Sequence, residues 1–330
     1  MTEQSFVQRR NNTWNEFSFL VRGNKRDLKK GAASFVNSFR EITQDLNTAK
    51  ANGFDPIIIE RLNTLVNEGN QILYKHQTWP LKTFLNFLLN TFPQKVRSQW
   101  KGILAASLLF YGVSVFFTIL CVFYPDITKE LIPERTLSSV KEMYNPDSEY
   151  YLQPRKITND ADMFGFYIYN NISIAFRTFA GGIFAGIGSL FILLLNAVFL
   201  GVIDGFIINE GYIRTFFGFV IAHSSFELTA IIFSGYAGML LGYRFFITNG
   251  LTRGASVKRA GEDALPIIAG STIMLVIAAA IEAFWSSKHL LPFWFRIGSG
   301  ASLWILLLIY FLFAGRNSEA ANRNSDGEKK

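Results

Sequence analysis

Five ionisable residues stand inside otherwise apolar stretches of this chain: Arg177, Asp204, His223, Glu227 and Glu282. At membrane depth each is costly, and such residues pair with one another, line water or carry an ion or proton pathway. His223 and Glu227 are four apart, so on a helix they share one face. That spacing suits a pair of metal ligands, a proton relay or an internal hydrogen bond. A zinc site needs at least three ligands, and the other histidines, His76 and His289, fall outside the spans. No metal and no cofactor is therefore expected. Asn170, Asn171 and Asn196 add amides that bond between helices, each contact worth about 0.6 kcal/mol. Gly182/Gly186, Gly201/Gly205 and Gly238/Gly242 have the small-xxx-small spacing that lets helix backbones approach. There is no phosphate loop, nucleophile elbow or His-Glu-x-x-His metalloprotease motif, so no catalytic residue is assigned.

The elements that must position these residues are membrane spans. Half of the 330 residues are hydrophobic and 17% are charged, with 33 phenylalanines. From Ile103 to Phe123 no side chain is charged, a run long enough to cross a hydrocarbon core of about 30 Å. The block 164–209 carries only Arg177 and Asp204 and must bend once, at the cluster Gly181, Gly182, Gly186 and Gly188. The segment 213–246 exceeds one straight span and is expected to break near Ala222–Ser225, with a serine capping the longer arm. The last two spans are 266–285 and 293–314. Six crossings result. Cys121 alone cannot form an internal disulfide and reads as a small core residue.

Residues 1–101 hold 15 Lys/Arg against 8 acidic residues, and 125–163 hold 5 basic against 8 acidic. By the positive-inside rule both termini are expected in the cytoplasm and the 125–163 loop outside. MTEQSFVQRR has no apolar core, so no cleaved signal is expected. No basic face is interleaved with stacking aromatics, which argues against nucleic acid. Within 1–101, Phe35, Val36, Phe39, Ile42 and Leu46 predict one amphipathic helix. Ile58, Leu62, Leu65, Val66, Ile72 and Leu73 predict a second, opened by Pro56. A short apolar segment, Leu81 to Phe92, is expected to lie at the membrane interface and to end at Pro93.

NNISIAFRTFAGGIFAGIGSLFILLLNAVFLG (170–201) and AHSSFELTAIIFSGYAGMLLG (222–242) resemble the stage II sporulation protein M family of bacterial membrane proteins. Asn170, Asn171, Gly182, Gly186, Gly188, Asn196, Gly201, His223, Glu227, Leu228, Ala230 and Gly238 match its pattern, and Glu282 matches a glutamate of its penultimate span. FVQRRNNTWNEF (6–17), DLNTAK (45–50) and LVNEG (65–69) look like its longer members. Ala222 stands where the family has Pro, Ser224 and Ala197 where it has Gly, and Arg177 where it is apolar. The resemblance implies a bacterial inner-membrane protein working with other envelope proteins, an AAA+ ATPase system among them.

The expected fold is all-α: a cytoplasmic helical domain over 1–101, a transmembrane bundle over 102–315 and a disordered tail over 316–330. The expected function is a non-enzymatic membrane scaffold of a cell-envelope complex, in contact with lipids and with a homo-oligomer left open. The alternative is a channel, transporter or lipid-handling protein that uses the His223/Glu227/Glu282 cluster. A weaker alternative is an intramembrane hydrolase. The excess positive charge of 1–80 is expected to meet an acidic partner or the anionic inner leaflet.

Overall fold

The computed structural model describes residues 2–22, 32–73, 81–149, 157–287 and 291–316. His76, His289 and the expected tail from 317 onward lie outside them. Helices account for the architecture, with no strand among the described residues. The chain divides into two compact units, Met1–Lys82 and Thr83–Lys330.

The first unit holds three helices: α1 (Glu3–Arg22), α2 (Ala32–Ala51) and α3 (Pro56–Leu73). Both expected helices are present. Asp55 opens α3 by accepting a hydrogen bond from the Ile57 amide at 2.7 Å, and Pro56 follows at the first helical position. Hydrophobic spacing does not announce α1, whose buried residues Phe6, Trp14 and Phe17 are too widely spaced to mark a continuous stripe. They complete a core with Phe35, Ile42, Leu46, Leu62 and Leu65.

The second unit begins with α4 (Leu81–Asn86), a π-turn over Phe87–Thr91 and α5 (Phe92–Ser98). The helical path does not end at Pro93 as expected, because proline is tolerated in the first turn of α5. Nor is the segment wholly peripheral. Leu81 and Leu89 are exposed, but Phe92 is buried and packs its ring against Phe233 and Phe311.

Six long helices follow: α6 (Trp100–Phe123), α9 (Ile157–Ala180), α10 (Ile187–Glu210), α11 (Ile213–Phe246), α12 (Arg253–Ile281) and α13 (Phe293–Phe313). Two short helices, α7 (Pro125–Leu131) and α8 (Glu134–Tyr144), occupy the polar stretch that was expected to be a loop. Tyr144 secures α8 by packing edge-on against Phe216 and Phe219.

Five of the six are long and apolar enough to cross a membrane: α6, α10, α11, α12 (continued to Ser286) and α13. The exception is α9, which carries Asp160, Asp162, Asn170, Asn171 and Arg177. It still runs the length of the bundle. Its Tyr167 packs beside Ala279 and Ala283 near the end of α12, and Phe179 reaches Gly238 near the end of α11. The two ends of the unit meet at one end of the bundle. Arg97 donates to the Phe311 carbonyl at 2.9 Å and Gln94 to the Gly315 carbonyl at 2.8 Å.

The expected bend falls in the glycine cluster. Helix α9 stops at Ala180, a 3-10 turn spans Gly181–Ile183, and Gly186 takes a left-handed φ of 80° to cap α10. Gly238 and Gly242 of α11 lie directly against this bend, and neither has room for a Cβ. On the other side of α10, Gly201 meets the Ser114 carbonyl, and Gly205 meets Cys121 and the Thr118 carbonyl of α6.

Candidate functional site

Helix α11 is the axis of the site, and it is not broken where a break was expected. Ser225 donates to the Ala222 carbonyl at 2.8 Å, Thr229 to Ser225 at 2.7 Å and Ser234 to Ala230 at 2.7 Å. Each hydroxyl turns back onto its own helix, so the serines satisfy a continuous helix and do not cap a new one. At 34 residues it is about 51 Å long. Its continuity keeps His223 and Glu227 on one face.

The third member comes from the end of α12. There the helix widens into a π-turn over Glu282–Ser286, a distortion frequent at functional sites. The turn directs two side chains toward α11. The Ser286 hydroxyl lies 3.1 Å from His223 Nδ1, and a ring nitrogen of His223 and carboxylate oxygens of Glu227 and Glu282 all stand within 4.8 Å of one another. His223 is buried, with the Phe219 ring edge-on at 5.3 Å.

The cluster adjoins a cavity of about 530 Å³ enclosed by α6, α8, α9, α10 and α11. His223 and Glu227 line it, together with Asn170, Asn196 and Asp204. Asn196 spends its amide on the Ile192 carbonyl at 2.8 Å, and Asn170 donates to Asn171 at 3.1 Å. The buried Oδ1 of Asp204 and the Nδ2 of Asn171 find no partner among the described residues. Met143 and Tyr144 of α8 line the same cavity, which therefore extends toward the end of the bundle where α6 finishes and α11 begins, and the exposed Val115 and Phe199 line its flank. Toward the opposite end it adjoins the apolar cluster of Ala106, Phe110, Leu193, Ala197, Ile231 and Ile232.

Two basic residues depart from expectation. Arg177 does not join the cluster: its side chain is exposed, three residues before the end of α9. A long cationic chain at that position reaches back to the interface. Arg296, which the sequence reading passed over, is buried to 5% exposure and donates to the Ser286 carbonyl at 3.1 Å. Its signal was present as a charge inside an apolar helix, but its place in the first turn of α13 made it look interfacial.

Two family models match the chain. One, described as Stage II sporulation protein M, covers residues 107–287 and so includes all of the cluster and cavity polar groups except Arg296. The other, described as Domain of unknown function (DUF8413), covers residues 4–75. No curated protein and no solved structure matches.

Proposed function

The chain belongs to the stage II sporulation protein M family, and from that premise we propose that it is a transporter-class membrane protein which binds a polar or cationic solute in its bundle. One observation carries this reading: Asn170, Asn196, Asp204, His223 and Glu227, from three helices, open on one cavity. A scaffold needs no such cavity, and burying unpartnered carboxylate atoms costs it stability.

The orientation follows from charge. Lys95, Arg97, Lys101, Arg253, Lys258 and Arg259 fall at the end where α6 begins, and Asp126, Glu130, Glu134, Glu142 and Glu210 at the other. On the positive-inside rule the first end is cytoplasmic, in the inner membrane of a bacterial cell, and the cavity lies toward the outer end. The N-terminal unit would then serve as the docking surface for an acidic partner, an AAA+ ATPase system or the anionic leaflet. The scaffold reading rests on that unit, which folds around its own core.

Substituted-cysteine labelling tests the cavity and its sidedness together. Cys121 is buried and serves as a silent background. Ser139→Cys on exposed α8 and Ser224→Cys in the cavity wall should react with a membrane-impermeant thiol reagent applied from outside. Ala255→Cys should not. Reactive Ala255→Cys would reverse the orientation, and an unreactive Ser224→Cys beside a reactive Ser139→Cys would make the cavity dry.

A further inference from the structure

We propose that His223, Glu227 and Glu282 form a binding site for a divalent transition-metal ion, reached from the outer end of the bundle past Asp204. This deepens the transport reading by naming its solute class, and rests on that reading for its route but not for its ligands. The sequence argued against a metal because a zinc site needs at least three ligands and no second histidine lies in a span. The fold supplies the third ligand as a carboxylate from another helix, where the π-turn of α12 carries Glu282 to the His223/Glu227 face.

The geometry suits one ion. Metal–nitrogen and metal–oxygen bonds of about 2.0–2.2 Å set neighbouring ligand atoms on the order of 3–4 Å apart. The observed separations, within 4.8 Å, lie about an ångström or less beyond that range. Charge agrees as well. A divalent ion would offset the charge of carboxylates held at membrane depth, which lowers the cost of placing them there. The imidazole selects against magnesium and calcium, which take oxygen ligands, and favours zinc or ferrous iron, while the two carboxylates also admit manganese.

Two independent observations point to a ligand. His223 is 5% exposed, and Ser286 holds its ring at Nδ1 in the manner of an outer-shell residue that orients a metal-binding histidine. The Glu227 carboxylate makes no hydrogen bond or ion pair with the described residues. Arg296 stands behind Ser286, the one cation of the described residues bonded to this turn, and an internal network built on it is the competing account.

The experiment uses the tag-free full-length chain in detergent, titrated with Zn²⁺, Mn²⁺ or Mg²⁺ alone and followed by metal content after desalting and by thermal melting. The expected result is one Zn²⁺ or Mn²⁺ per chain with a raised melting temperature, and no effect of Mg²⁺. The near-isosteric Glu227→Gln and Glu282→Gln should melt normally without metal yet lose affinity by more than about 100-fold, beyond the 10–100-fold expected of the outer-shell change Ser286→Ala. No binding by the unaltered chain, or binding that survives both glutamine variants, overturns the metal site. If the unaltered chain binds nothing while folded Glu227→Gln fails to complement a deletion strain, the transport reading stands and only the metal falls. If metal binds and Glu227→Gln still complements, the metal site stands and the transport reading falls.

Discussion

Asp45 and Glu227 are both carboxylates held inside helical packing, and their surroundings separate a structural role from a functional one. Asp45 receives the Arg10 guanidinium and the Trp14 indole N–H, each at 2.8 Å, while Arg10 also reaches Glu41 at 2.8 Å. Burial works against the charged form of Arg10, but its bonds and charge attraction to Asp45 and Glu41 outweigh it and raise its pKa. Asp45→Ala should therefore destabilise the N-terminal unit by about 1–3 kcal/mol, since it strands the buried Trp14 donor. A thermal melt of the full chain unchanged by this substitution would contradict that assignment. Glu227 has no such partners. Its i, i+4 relation to His223 was legible from spacing alone, and Glu282 was legible as a charge inside an apolar span. Their convergence was expected from that shared face and from the similar depth of Glu282 in its own span, and the three groups do meet within 4.8 Å; the π-turn that carries Glu282 there was not legible. Arg177 and Arg296 were misjudged for one reason: sequence shows that a charge lies in an apolar run but not which way it faces.

Among the elements, the glycine bend and its partner helix control the shape of the bundle. Turn chemistry located the bend, since a stretch of four glycines in eight residues cannot sustain a helix. The expected break in α11 failed because paired serines have two uses, capping a new helix or bonding back within one, and local sequence does not choose between them. The helices α1, α7 and α8 went unseen because their buried residues are few and their exposed faces polar. Gly242 faces the Gly186 backbone without space for a Cβ, whereas nothing lies near Gly298 in α13. Gly242→Ala should lower stability by about 1–3 kcal/mol through overpacking, and Gly298→Ala should stay within about 0.5 kcal/mol of the parent. Equal melting temperatures for the two variants would show that α11 does not need the close approach.

At the scale of the whole molecule, six helices traverse one bundle whose first and last meet at the same end, and five of them are apolar enough to span a membrane unaided. The sixth, α9, brings Asn170 to the cavity wall and is covered by α11 and α12. A helix with polar residues is admitted at this depth because it lines a cavity inside the protein. The cavity that gathers Asn170 of this polar span with Asp204, His223 and Glu227 of its neighbours is the basis for reading the bundle as a binding machine more than a scaffold. Hydropathy announced the membrane unit and the resemblance announced its family, but neither could distinguish a dry helix interface from a cavity. The decisive measurement compares Glu227→Gln with Glu227→Ala and His223→Ala, taking melting temperature and complementation from the same preparations. The account predicts a Glu227→Gln protein that melts like the parent and does not complement, because the carboxylate charge is what acts on the solute. A Glu227→Gln protein that melts normally and complements fully, with only the two alanine variants impaired, would contradict it and return the cluster to a structural role.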